Sequence, residues 1–419
     1  MKNKYSGNDL SVEDVAGFRK LEKVFLNRCS QFGSQEIKTS TIEPLHIFAG
    51  KGVLSHTKLR RIYSFIDWDG WTGERVALRP DSSICVARFY NEHLADKKAR
   101  EKLCYVENHF EYADSGDSIS ERWQCGVENI GESTPESDLE VIYMAYDILR
   151  EINLKDFFLH LSYPHIVKEM INILDPDEKY KLEAAIKKDM ELAKKILNSV
   201  SGGKDLVNLL TLCGESAKYL KNLKATLKQE KFQSIIPLID NFISVCMLLD
   251  DLECPYRIDF SFSGNLEYYT GISFQILATA LRKSNRDILC SGGRYDNLIK
   301  KTEKMSHPIR TTGFAFYVRN ILKNYSVYSR ERTQNICIYI GKVTKNNVKT
   351  GQILCNRFAK LGFKAKITFT RPEQAEYEQY GLVIHVDKEK FDDEYKILYS
   401  HKIGKPLLVN LFGELNAHC

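Results

Sequence analysis

The chain has no stretch of about 18 uncharged apolar residues; the nearest approach, residues 234–249, is broken by Asp240 and Asn241. A helical membrane span is therefore not expected. The opening residues MKNKYSGNDLSVEDV carry no apolar run after their lysines, so no secretory signal is read there. The eleven cysteines include no Cys-x-x-Cys pair and no Cys/His cluster at metal spacing, which points to reduced thiols in a cytoplasm and to no structural metal. Charge of one sign is scarce as well. Sixty Lys and Arg against 55 Asp and Glu leave +5, too small a surplus for a nucleic-acid footprint, so RNA binding is not expected. What is present, 43% hydrophobic residues over 419 positions, suffices for two or three cores.

Residues 13–32 place Val15, Phe18, Leu21, Val24, Phe25 and Cys29 at helical spacing, ending near Gly33. Strands are expected at 36–42, 61–65 and 75–78, followed by the polar turn Arg79-Pro80-Asp81-Ser82-Ser83 and a helix over 84–94. Residues 102–112 and 121–130 read as strands. In the second, Trp123, Cys125 and Val127 alternate with Gln124, Gly126 and Glu128, so one face is core and the other offers an amide and a carboxylate as a pocket floor. A helix through 141–149 opens at Pro135, and 157–162 is a strand. Residues 164–250 read as a helical insertion with lysine-rich outer faces. Strands are expected again at 256–262, 268–277 and 288–291, and Gly292-Gly293 reads as a tight turn before Arg294. A strand end at 312 passes into a helix, residues 324–335 read as a linker, and 336–419 alternate short strands and helices as a small α/β unit.

Five pieces in order carry a resemblance: LRPDSSICVAR from Leu78, QCGVENIG from Gln124, LEYYTGISF from Leu266, GGRYDNL from Gly292 and GFAF from Gly313. In this order they resemble the histidyl-tRNA synthetase catalytic domain from the first helix to about residue 323, and the rest resembles that enzyme's anticodon-binding domain. The implied fold is α+β: a class II synthetase-like antiparallel sheet flanked by helices, with a helical insertion at about 164–250 and a smaller C-terminal α/β domain. Asp81 and Ser83, where synthetases carry glutamate and threonine, resemble the non-catalytic relatives of that family, the regulatory subunits of ATP phosphoribosyltransferase.

Adenylate formation needs positive charge around the α-phosphate. The family supplies it with three arginines, and this chain departs at each position. Glu111 follows Phe110, with Ala113, Asp114 and Ser115 after it. Gly264 precedes the Asn265-Leu266-Glu267-Tyr268-Tyr269 segment, and Asn320 stands in the last motif beside Arg319. Losing one such donor costs about 10² to 10³ in rate, so no catalytic residue is assigned.

By the same resemblance Asp81, Ser83, Gln124 and Glu128 hold the α-ammonium and neighbouring polar atoms of a histidine-like ligand, with Tyr268 and Tyr269 beside its ring. Arg294 and Asp296 read as a buried structural pair. The implied assembly is a homodimer within a hetero-oligomer with short-form ATP phosphoribosyltransferase catalytic subunits, with histidine as effector in the inherited pocket or at a subunit interface, and no cofactor. An active histidyl-tRNA synthetase and a stand-alone paralogue that senses amino acids or binds RNA are the alternatives.

Overall fold

Helix α1 (Val12–Gln31) starts on a capping box: Asp14 N–H donates to Ser11 Oγ at 3.1 Å, and Ser11 N–H donates to the Asp14 carboxylate at 3.0 Å. Its buried stripe is Phe18, Leu21, Phe25 and Cys29. The computed structural model describes residues 9–50, 54, 56–68, 71, 73–95, 100–112, 119–172, 179, 182, 190–199, 207–210, 213–227, 232–262, 268–279, 287–298, 309–328, 335–360, 363–374, 377, 380–387 and 395–400. The chain divides into two units, 1–329 and 330–419.

In the first unit α1 is followed by β1 (Gln35–Glu36), β2 (Ile42–Pro44), β3 (Ser64–Trp68), β4 (Gly73–Leu78) and α2 (Ser82–His93). Then come β5 (Glu101–Tyr112), β6 (Ile119–Ile130), α3 (Pro135–Glu151), β7 (Phe157–Ser162) and α4 (Pro164–Asn172). The next group is α5 (Met190–Ser199), β8 (Cys213–Gly214), α6 (Ala217–Thr226), α7 (Ile236–Asp251) and β9 (Tyr256–Asp259). The unit closes with β10 (Ser273–Ala278), β11 (Ile288–Arg294), β12 (Thr311–Tyr317) and α8 (Val318–Tyr328). Nine strands form one sheet in the order β1-β5-β6-β12-β11-β10-β7-β9-β8, and β2-β4-β3 form a smaller one. The large sheet is mainly antiparallel; β1 runs parallel to β5, and β7 to β9.

Strand register explains why the large sheet has two unlike faces. One row across it reads Val127, Phe314, Gly292, Phe274 and Leu161, and this face is buried with Phe25, Ile148 and Ile321 from α1, α3 and α8. The next row reads Gly126, Ala315, Ser291, Gln275 and His160, small or polar throughout. Period-2 alternation puts the polar row on the opposite face. The functional site lies there.

Several expectations are corrected. The insertion is not purely helical: β8 adds an edge strand to β9. Its Leu197, Leu209, Leu220 and Phe242 share the core of the sheet, because their helices carry an apolar stripe that only the sheet's dry face can cover. Residues 256–262 are strand only to Asp259, then a 3-10 turn at Phe260–Phe262, and β10 starts at Ser273 instead of Tyr268. The Gly292-Gly293 turn is absent, since β11 runs through both glycines to Arg294. Gly293 has φ +149°, and a Cβ there would sit 2.5 Å from Ile272 O, so its glycine serves close strand approach. Residues 324–328, expected as linker, continue α8.

The second unit has β13 (Asn335–Ile340), α9 (Lys345–Lys360), β14 (Lys364–Thr368), β15 (Leu382–Val386) and β16 (Tyr395–Ser400), ordered β14-β13-β15-β16. The first three strands are parallel and β16 is antiparallel. Ile336, Ile338, Ile340, Leu354, Phe358 and Ile384 form its core. After β14, Gln374 and Tyr377 have 3-10 helical backbone.

Candidate amino-acid pocket

A cavity of about 270 Å³ opens on the polar face. Asp81 and Ser83 reach it from the start of α2, Gln124 from β6, and Tyr268 and Tyr269 from the segment before β10. The Asp81 turn is held rigidly. Asp81 has extended backbone and caps α2, accepting from Ile84 N–H at 3.3 Å. The buried guanidinium of Arg79 pairs with Glu107 at 3.1 Å and donates to Asn108 Oδ1 at 2.8 Å, which pegs the turn to β5.

Glu128 is placed differently from the other five. It lies beneath the cavity wall, 2% exposed, with Ser83 Oγ donating to its Oε1 at 2.6 Å. Burial pushes its carboxyl well above the usual range, with Asp81's charge adding to the shift. The carboxyl group that lines the cavity is that of Asp81. Among the described residues the second oxygen, Glu128 Oε2, has no hydrogen-bond partner, and neither has the buried Tyr295 hydroxyl. Both converge on Gly313, where a Cβ would lie 2.1 Å from the first and 2.6 Å from the second. The Tyr268 ring stands at 89° to Tyr269 with centroids 5.0 Å apart, and at 32° to Tyr295 with centroids 5.3 Å apart. The Tyr268 ring is thus packed against both of the other tyrosines.

At the positions where the resemblance expects arginines, the side chains are otherwise engaged. Glu111 is paired with Arg61 at 3.3 Å and Arg122 at 3.8 Å. Asn320 donates to Ile288 O at 2.8 Å, which ties α8 to β11. Gly264, Ala113, Asp114 and Ser115 lie outside the described residues. Among the described residues lining the cavity the only cation is Lys58. Arg294 pairs with Asp138 at 2.8 Å and Asp296 at 3.2 Å, fastening the end of β11 to the first turn of α3. Among the described residues no group of His, Cys, Asp and Glu is gathered for a metal, and no helix is long and apolar enough to cross a membrane.

Residues 7–321 match the histidyl-tRNA synthetase family. The chain belongs to that family. An ATP phosphoribosyltransferase regulatory subunit from Dehalococcoides mccartyi is 32% identical over 93% of this chain and 92% of its own length. A histidine–tRNA ligase from Methanococcus maripaludis is 30% identical over 80% of this chain and 81% of its own. Among solved structures, an ATP phosphoribosyltransferase regulatory subunit/histidyl-tRNA synthetase from Bacillus halodurans superposes with a TM-score of 0.73 at 20% identity, covering 92% of this chain and 98% of that one. The apo histidyl-tRNA synthetase of Staphylococcus aureus gives 0.62 at 20% identity, covering 97% of each. These two structures establish the class II synthetase-like α+β fold.

Within this synthetase-family pocket, sequence reasoning missed Tyr295, Gly313, Gln275, Ser291, Tyr317 and Lys58 as lining groups. Tyr295 and Gly313 stood inside quoted motifs, GGRYD and GFAF. Their meaning depends on the register that sets Gly313 opposite Glu128, which no local pattern encodes.

Proposed function

We propose that this chain is the non-catalytic regulatory subunit of ATP phosphoribosyltransferase, acting in the cytoplasm on the first step of histidine biosynthesis. It would be required for the activity of a short-form catalytic subunit, assemble with it as a homodimer within a hetero-oligomer, and confer feedback inhibition by histidine. The C-terminal unit is assigned as the anticodon-binding-like domain. The name of the Dehalococcoides relative supports this reading.

The observation that carries it is the asymmetry of the pocket. Its amino-acid side is furnished: Asp81 can take an ammonium, Gln124 can donate and accept, and Tyr268 and Tyr269 can flank a flat ring. On the phosphate side Glu111 and Asn320 supply no positive charge for the α-phosphate, so the transition state of adenylate formation lacks that stabilisation. The second reading, an active histidyl-tRNA synthetase, is favoured by the ligase relatives alone. Co-purification with the short catalytic subunit, together with phosphoribosyl transfer assayed with and without this chain, separates the two. Histidine-dependent ATP/pyrophosphate exchange by this chain alone would favour the ligase.

A further inference from the structure

Thr270 directly follows the two tyrosines that line the cavity, and its polar groups are shared between two parts of the fold. Its N–H donates to Arg294 O at 2.8 Å and its Oγ1 accepts from Asp296 N–H at 3.0 Å, so the end of β11 holds one side of the segment. Tyr269 lies over Gly293, where a built Cβ would come within 2.9 Å of its ring. The Thr270 carbonyl bonds to a different element: His165 Nδ1 of α4 stands 3.1 Å from it. A carbonyl oxygen only accepts, so Nδ1 carries the proton in this bond. On the other side of the ring, His165 Nε2 lies 3.6 Å from Glu169 Oε1, four residues on along the same helix, which orients the imidazole. The helix is a firm base. Pro164 lines the cavity, and Ile166, Val167, Met170 and Ile171 are buried in the core under the large sheet.

We infer that His165 is a positioning residue that sets Tyr268 and Tyr269 in the cavity wall, so that ligand affinity depends on a contact made by the helical insertion. This rests on the proposal that a histidine-like amino acid occupies the pocket, and it adds the group that holds the ring-flanking segment in place. His165 does not itself line the cavity and acts through the Thr270 carbonyl. The tyrosines flank a ring only while the peptide units around Thr270 keep their orientation. Without His165 that carbonyl loses its partner on α4, the peptide units can rotate and carry Tyr269 with them, and the ligand must then order the segment as it binds.

Isothermal titration of the full-length chain with L-histidine, together with amide hydrogen exchange over residues 268–278, tests this on wild type, His165→Ala and His165→Asn. The asparagine amide places an N–H donor close to the position of Nδ1. We expect His165→Ala to bind histidine about 5-fold more weakly, the worth of one net hydrogen bond, and to exchange the amides of this segment about 5-fold faster. His165→Asn should bring both back to within about twofold of wild type. His165 is partly exposed in the first turn of α4, so both variants should melt within about 3 °C of wild type. Unchanged histidine affinity in a folded His165→Ala protein overturns the assignment. So does a loss that His165→Asn fails to restore, because the hydrogen bond is then not its cause. Failure of the wild-type chain to bind histidine overturns the occupant instead, while faster exchange in His165→Ala still reports the anchor.

Discussion

Substituting Gly313 by alanine is the most exacting perturbation of the proposed ligand site. The added Cβ would lie 2.1 Å from Glu128 Oε2, 2.4 Å from Val127 O and 2.6 Å from the Tyr295 hydroxyl, whereas ordinary heavy-atom contacts are at about 3.5 Å. The carboxyl and hydroxyl can rotate away. The Val127 carbonyl belongs to the paired strand β6, so part of the strain is carried by the sheet. Overpacking of this kind costs about 1–3 kcal/mol, a fall in melting temperature of about 2–8 °C. The methyl group also fills the space between the two orphaned polar atoms. If a ligand polar atom bonds to one of them, a hydrogen bond of about 1 kcal/mol is lost, and histidine affinity drops about 5-fold. Gly33→Ala is the control, since that glycine has φ +81° with no atom within 4 Å of a built Cβ. It should lower stability by a comparable amount and leave binding unchanged. Thermal melts and calorimetric histidine titrations of the two variants decide the matter. A folded Gly313→Ala protein that binds histidine as wild type does would refute the placement of the ligand against Gly313.

Tyr295→Phe removes a buried hydroxyl that has no partner among the described residues, so the ligand-free protein should melt at or slightly above the wild-type temperature, while histidine affinity falls about 5- to 10-fold by titration. Glu128 and His109 should act oppositely on stability across pH. The folded Glu128 carboxyl titrates above its unfolded range, so the native state binds the extra proton and stability declines as pH rises past about 4.5; Glu128→Gln should remove that decline. His109 is pushed down to about 3 by burial, so the unfolded state binds the extra proton and stability declines as pH falls from about 6.5 toward 3; His109→Gln should flatten that limb. Each slope is at most about 1.4 kcal/mol per pH unit, readable from urea midpoints over pH 4–8. Arg294→Ala leaves Asp138 buried without its guanidinium and should cost about 3–5 kcal/mol in the same assay.

The dry face of the large sheet was legible from local pattern. The alternation of Cys125 and Val127 with Gln124 and Glu128 predicted which side chains turn inward, and β7 has the predicted bounds, Phe157–Ser162. Errors cluster where glycine or pairing partners decide. Gly292 and Gly293 read as a turn because a glycine pair permits one, yet here they let β11 lie close against its neighbours. The two-residue β8 exists only through its pairing with β9, too short to leave a periodic signal. In the pocket, Asp81 and Ser83 stood out as polar groups at a strand-to-helix junction. That Glu128 is buried beneath the wall follows from the layers packed over it. Lys58 joins the wall by tertiary folding alone, from a helical turn far from the pocket motifs in sequence.

The central claim is that this synthetase-family pocket serves regulation and not aminoacylation. Its most direct test is the rate of phosphoribosyl transfer to ATP by purified short-form catalytic subunit, with and without this chain, over a histidine titration. The account predicts that the rate rises strongly when the chain is added and then falls with histidine. A rate that ignores the chain, with histidine having no further effect in its presence, would contradict it.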